Sequence, residues 1–260
     1  MYKIENIVYF LKFSKREYLE QFNKKALYFS NAETLRGIEE NNKIKGQGDR
    51  LEGTMRVFAT NAELRDPDTG KIVRQFGNSI LNVVMEPPNK MPVFCLFSVY
   101  KKDCIIDDEG HYHIHLSDKI KQTIHDHFPN ANSVAVIPNP SNFISEIENS
   151  IGYRMESDNV HYFKIENGVS PGQGIAPVLD LEMIKYLTNS DPFDYSKPWS
   201  FSFTVDMAYR HLFCKDTFFS DEQEYRIVLP EESINIGKTY PVDFCEQIEI
   251  YDLDEFYSMN

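Results

Sequence analysis

Nothing in this sequence is long and apolar enough to cross a membrane as a helix. Its longest apolar run, Val93 to Tyr100, falls far short of the roughly 20 residues a spanning helix needs. Cysteine is sparse and unpaired: Cys95, Cys104, Cys214 and Cys245 are scattered and none forms a C-x-x-C pair. That spacing offers neither a zinc knuckle nor a disulfide framework, so reduced thiols are expected. The opening residues, MYKIENIVYF, lack a basic start, an apolar core and a small-residue cleavage site. No signal peptide is expected, and the cytoplasm is the expected compartment. There is no G-x-x-x-x-G-K-[ST], no G-x-G-x-x-G opening a helix and no G-x-S-x-G elbow, which removes support for P-loop nucleotide hydrolysis and for an α/β-hydrolase. Basic residues are in the minority, 27 against 40 acidic ones, for a net charge of −13. A charge of that sign opposes broad nucleic-acid affinity, which depends on phosphate neutralisation, but leaves room for a local basic groove.

What remains is a globular composition, 42% apolar and 26% charged. A chain of 260 residues buries enough surface to be stable without a metal or a disulfide. No repeat or internal boundary divides it, so one domain spanning 1–260 is expected, with a mobile loop or insertion around 36–78. Ile7 to Phe13 (IVYFLKF) reads as a strand, with Ser14 as N-cap of a helix to Asn23 and Glu17 as its capping-box partner. Ala26 to Ser30 reads as a second strand. Asp66 to Gly70 (DPDTG) predicts a turn between strands, and Pro87 and Pro88 the end of an element. PVFCLFSVY predicts a strand buried on both faces. Ser117 is the expected cap of a helix ending near Phe128, followed by a strand from Ser133 to Ile137 and a helix from Asn142 to Ile151. One strand is expected from Asn159 to Ile165, a glycine-rich loop from Gly168 to Pro177, and helices near 179–188 and 203–213. Closing strands are expected near 224–229 and 247–251. Strands outweigh crossover helices, so the class is α+β rather than doubly wound.

The sharpest local feature is FFSDEQEYRIVLP, Phe218 to Pro230. Glu222 and Glu224 lie two apart at a strand entrance. Extended backbone would point both to one face, about 6.5–7 Å apart, where mutual repulsion raises one pKa. Paired carboxylates suit reactions that develop positive charge on a sugar carbon. An anion roughly 4 Å from such a centre, at an effective dielectric near 20, contributes about 4 kcal/mol. A solvated pair of acids at a strand start is the other reading.

Aromatics, a polar turn, E-x-E and an apolar strand together resemble the catalytic glutamate motif of ADP-ribosyltransferases. The opening strand, helix and strand resemble the first NAD-binding unit of that fold. A resemblance covering roughly residues 7 to 230 is to bacterial domain-of-unknown-function family 2971. It rests on Lys12-Phe13, Leu27-Tyr28-Phe29-Ser30, Asp49 with Glu52-Gly53, Cys95-Leu96-Phe97-Ser98 and Glu222-Gln223-Glu224-Tyr225-Arg226. The resemblance implies an ADP-ribosyltransferase-like split β-sheet core with flanking helices, and NAD as substrate. It implies that Glu224 holds the nicotinamide ribose and stabilises the oxocarbenium ion while Glu222 engages the acceptor. Lys12 stands where similar enzymes carry a His or Arg gripping the adenosine ribose or a phosphate. Lys is a point donor without the planar fork of Arg. Tyr28 would stack on nicotinamide, Ser30 or Ser98 would hold a ribose hydroxyl, and Arg36, Arg50 and Arg56 would face the pyrophosphate.

The function so implied is NAD-dependent mono-ADP-ribosylation of a macromolecule, RNA or protein, by a bacterial toxin or antiphage effector restrained by an antitoxin or other inhibitory partner. Two alternatives stand beside it: an NAD glycohydrolase, with water as acceptor, and a non-catalytic nucleotide- or protein-binding module whose acidic surface meets a basic partner. His111, His113 and His115 alternate in HYHIH and would share one face of a strand, a spacing that suits zinc. An exposed hairpin after the acidic turn Asp107 to Gly110 is the competing reading, and a metal nuclease built on these histidines ranks last.

Overall fold

The computed structural model describes residues 4–59, 63–66, 68–75, 77, 79–165, 180–188, 205–245 and 247–259. The expected Gly168 to Pro177 loop lies outside them. Strand β1 (Ile7–Ser14), helix α1 (Arg16–Asn23), β2 (Ala26–Phe29) and α2 (Ala32–Asn42) come first. A ribbon follows, made of β3 (Thr54–Ala59), β4 (Glu63–Arg65), β5 (Ile72–Gln75) and β6 (Ser79–Val84). Next are α3 (Glu86–Lys90), β7 (Val93–Tyr100), β8 (Cys104–Ile106), β9 (Tyr112–Ile114), α4 (Asp118–His127), β10 (Ser133–Ile137) and α5 (Pro140–Ile151). Then come β11 (Glu156–Asn159), β12 (His161–Phe163) and α6 (Leu181–Thr188). Two 3-10 segments, Val205–Phe213 and Thr217–Glu222, flank β13 (Cys214–Asp216), and β14 (Glu224–Val228), β15 (Lys238–Pro241), β16 (Glu249–Asp252) and α7 (Leu253–Met259) follow. The class is α+β.

A six-stranded sheet in the order β11-β14-β7-β1-β10-β16 organises the molecule, and every pairing in it is antiparallel. Side chains alternate between its faces. Phe10, Phe94, Leu96, Tyr225 and Ile227 pack with Leu19 and Phe22 of α1 and Phe143 and Ile147 of α5. Leu11, Phe13, Phe97 and Val99 point the other way and pack with Ile120 and Ile124 of α4 and Phe256 of α7. Covering both faces explains why VFCLFSVY is apolar throughout instead of alternating. Among the described residues no helix is long and apolar enough to cross a membrane.

The sheet divides at its centre. The β1–β7 register ends at Leu11 opposite Phe97, whereas β7 stays paired with β14 as far as Val93 opposite Val228. The edge that β1 vacates is filled by other groups. Ser30 and Val93 exchange backbone bonds of 2.9 and 2.8 Å, and Lys12 Nζ donates to the Cys95 carbonyl at 2.6 Å. A backbone acceptor left inside an apolar layer would cost about 1–3 kcal/mol, so the ammonium replaces the missing ladder donor.

Several local expectations are corrected. Ser14 does not cap α1: it stays in β1, opposite Ser133, and the cap residue is Lys15, with no side-chain bond. The orphan amide of Arg16 instead donates to Asn132 Oδ1 at 2.9 Å, a tertiary partner in place of a local one. Pro87 and Pro88 lie in the first turn of α3, where a missing N–H leaves no bond unmade. The expected strand from Asn159 to Ile165 breaks at Val160 into β11 and β12, which join different sheets. The 203–213 helix is a 3-10 segment where it is described. Other expectations hold. Ser117 Oγ caps α4 by accepting from Ile120 N, and the Asp66 carboxylate closes its turn by accepting from Thr69 N at 2.7 Å.

Candidate active site

The E-x-E pair lies where a 3-10 turn becomes a strand. Asp216 accepts from Phe218 N and starts the turn, Gln223 ends it in the left-handed region at φ +41°, and Glu224 opens β14. The two glutamates therefore do not share an extended segment, which corrects the geometry expected from spacing alone. They converge on one cation. Lys215 Nζ, from β13, bonds to Glu222 Oε2 and lies 3.0 Å from Glu224 Oε2.

From there the charges form a continuous chain. Arg226, two residues along β14 on the same face, reaches Glu224 Oε1 with Nε at 2.7 Å and Glu224 Oε2 at 3.1 Å. Its outer nitrogens grip Glu52, with one bond at 2.8 Å. At the other end Glu222 Oε1 lies 2.7 Å from His127 Nδ1, at the last residue of α4. Glu52 and Arg226 are each only 1% exposed, and Lys215, Glu222 and Glu224 are buried as well.

Burial alone would raise the Glu224 pKa, but Arg226 and Lys215 outweigh it and hold the carboxyl well below its usual range. Burial likewise disfavours the charged forms of Lys215 and Arg226, and the surrounding glutamates reverse this, raising both. Asp49, buried beside the network, behaves differently. Burial first, then Glu52, pushes its pKa up to about 7, against weaker opposition from Lys215 and Arg226. Burial and the charge of Glu224 raise the Cys95 thiol to about 12, so it is a donor to that carboxylate and not a nucleophile. Burial lowers the Lys12 pKa, with Cys95 and Glu224 pulling the other way.

The structure thus brings Glu222, Glu224 and Lys12 to one region, together with Asp49, Glu52, Cys95 and Arg226 from the same sequence segments. The remaining predicted residues lie elsewhere or do other work. Tyr28 is 55% exposed on β2 and lies against Gly237, where even a methyl group would collide with its ring. Ser30 completes the β7 edge through its backbone. Ser98 is fully buried, with Oγ 3.4 Å from Asn159 Oδ1, next to Gln223, which bonds to Asp103 at 3.0 Å. Arg50 donates its backbone N–H to Glu39, and its side chain is half exposed. Arg36 donates to the Glu52 carbonyl at 2.7 Å. Lys215 escaped the sequence reading, and nothing in the spacing places His127 beside Glu222. Lys215 had one signal: a lone lysine in FCKDTFF, an aromatic setting that no solvated lysine needs.

The chemistry open to this arrangement follows from its saturation. Both Glu224 oxygens are engaged by cationic donors, so its charge is already neutralised, and its depressed pKa makes it a weak base. The cavity beside Asp49, Asp216 and Phe219 is about 10 Å³, room for one water. A larger hollow, about 540 Å³, is lined by Lys25, Glu146, Ser150 and Asp243, among others, and by none of the network. His111 and His113 stand in the predicted exposed hairpin, 3.4 and 2.9 Å from Asp107. Among the described residues no group of three or more histidine, cysteine or acidic side chains has a geometry that would hold a metal. Compared with family models, curated proteins and solved structures, the chain matches none.

Proposed function

We propose that this chain is a non-catalytic binding module whose buried charge network maintains the fold and whose acidic surface meets a basic protein. One observation carries the reading: the carboxylate best placed to stabilise a ribosyl cation, Glu224, is buried and held on both oxygens by Lys215 and Arg226. Truncating one member of such a network costs on the order of 3–5 kcal/mol, which suits a structural role. For the docking face the best candidate is the C-terminal strip. Glu249, Asp252, Asp254 and Glu255 are all exposed there, and Arg16 pairs with Asp252 at 3.4 Å.

NAD-dependent ADP-ribosyl transfer to RNA or protein remains the second reading, and NAD hydrolysis its variant. One observation favours it: segments singled out by resemblance, far apart in sequence, meet around Glu224 next to the divided sheet. In that reading Glu224 would have to leave its cations to face NAD.

Two measurements separate these readings. The purified chain is incubated with NAD, with and without cell lysate, and free nicotinamide and modified macromolecules are followed. The module reading expects neither, and Glu224→Gln changes only stability. Nicotinamide release abolished by Glu224→Gln in a variant that stays folded would establish NAD chemistry at Glu224 instead, with a modified macromolecule marking transfer and free ADP-ribose marking hydrolysis. In parallel, binding of an oligolysine peptide should weaken with salt and fall when the four C-terminal acids are neutralised. An oligolysine affinity unaffected by that neutralisation would remove the proposed docking face.

A further inference from the structure

Residues 43–50, between α2 and the turn into β3, cross the His127 end of the charge network as a strap. The backbone runs left-handed at Lys43 (φ +56°), Gly46 (+100°) and Gly48 (+106°), and at the last two only glycine adopts it without strain. Gly46 lies flat on the His127 ring: a Cβ added there would stand 2.5 Å from it. Gly48 lies as closely on α2, where a Cβ would meet the Leu35 carbonyl at 2.7 Å. Lys45 Nζ sits 4.2 Å from the centre of the Phe218 ring, which in turn stacks on His127. Leu51, buried with Phe163, Ile165 and Leu187, anchors the far end. Under this cover the side chains of His127 and Glu222 are only 9% and 6% exposed.

The strap turns one acid inward. Asp49 is buried and borders the water-sized cavity between the strap and Phe219. Its carboxylate accepts from Leu51 N at 2.8 Å, a bond made two residues away. The charged groups around it are Glu39 of α2, Lys215 and Asp216 of β13, Arg226 of β14, and Lys45, Arg50 and Glu52 of its own stretch. Lys215 is already held by Glu222 and Glu224, and Arg226 by Glu224 and Glu52. An ionised Asp49 would therefore share its enclosure with Glu39, Glu52 and Asp216, with room for a single water.

We propose that residues 43–50 are a proton-operated cover: with Asp49 neutral the strap stays seated, and with Asp49 ionised it lifts and uncovers Glu222 and His127. The contacts it gives up toward α4 and Phe218 are a glycine on a ring and an exposed cation–π pair, both weak. Lifting lets water reach the new anion and leaves the six-stranded sheet untouched. Burial, then Glu52, places the Asp49 pKa at about 7, so the cover is shut in mild acid and open in mild alkali. It works the same way whether the groups beneath it serve docking or NAD.

The test is hydrogen–deuterium exchange of the full chain at about pH 6 and about pH 8.5, with rates corrected for the intrinsic effect of pH. The strap amides, among them Arg50 N on Glu39 at 2.9 Å, should exchange at least about tenfold faster at the higher pH, while β7 and β14 keep their protection. Asp49→Asn, neutral and of nearly the same shape, should keep the strap protected at both pH values. Gly46→Ala, whose methyl group has no room on His127, should leave it exposed at both. Strap protection that is equal at the two pH values in the natural chain overturns the proposal, as does a pH response that survives Asp49→Asn or a Gly46→Ala strap that stays protected in mild acid. Loss of protection in β7 and β14 in step with the strap also overturns it, since the whole body would then be opening.

Discussion

Arg226 holds the Glu52 carboxylate through both terminal nitrogens of its guanidinium, across 174 residues of sequence. The pair fastens the turn that leads into β3 to the strand that carries Glu224. Arg226→Met leaves two buried carboxylates facing one another and should cost on the order of 3–5 kcal/mol in urea denaturation. Replacing Glu52 by Met in the same chain should recover part of that loss. A single-variant loss below about 1 kcal/mol would mean that the network carries little of the fold.

Asp49 sets the alkaline side of stability. Its folded pKa of about 7 lies above the unfolded value of 3.8, so the folded state binds the extra proton between those limits. Its contribution is fully present below about pH 4 and is lost as pH rises through about 7, for a difference of roughly 4 kcal/mol. Asp49→Asn should therefore be more stable than the natural chain at pH 8 and about equal to it at pH 4. A melting-temperature profile that both proteins share across that range would refute the assignment.

Glu224 acts on the acid side with the opposite sign. Its folded pKa is depressed, so its stabilisation is present above the unfolded value near 4.5 and is lost as pH falls toward the folded one. Lys215→Met removes one of the cations responsible. That variant should be less stable at pH 7 and should lose less on acidification, giving a shallower acid limb in pH-dependent unfolding.

Lys12 is a third point of test. Lys12→Met keeps the stem over the Phe94 ring, which the ammonium now faces at 4.9 Å, and deletes the donor to the Cys95 carbonyl. A loss of about 1–3 kcal/mol is expected, with the β1–β7 boundary exchanging amide protons faster than the β7–β14 pairing. Equal protection on both sides would remove the ammonium from its place in the ladder.

Asn132→Ala should destabilise α1 by about 0.5–2 kcal/mol, because Asn132 Oδ1 caps Arg16 N from a distance. Ser14→Ala should do less. The reverse order would restore the local capping box.

The sequence makes the central layer readable because its cues are local and agree. β1, β7 and β10 are β-branched and aromatic runs, and Ser117 and the Asp66 turn work through neighbours within a few residues. What escaped depends on distant partners. β13 and β15 are short, and their pairing with β12 and β2 leaves no period to detect. Ser14 has the right side chain for a cap, yet the sheet holds its backbone. The candidate site was legible in composition and not in geometry: the acids were named, but the lysine that gathers Glu222 and Glu224 lies in another strand, and spacing carries no information about it.

The parallel pairing of β12 with β13 sets His161 opposite Cys214 and Phe163 opposite Asp216. The chain leaves this pair at Phe163 and re-enters it at Cys214, the opposite end, so no tight turn can close it and a crossover connection is required. The pair can therefore form only after the whole intervening stretch has been synthesised, which makes it a late event in the life of a nascent chain.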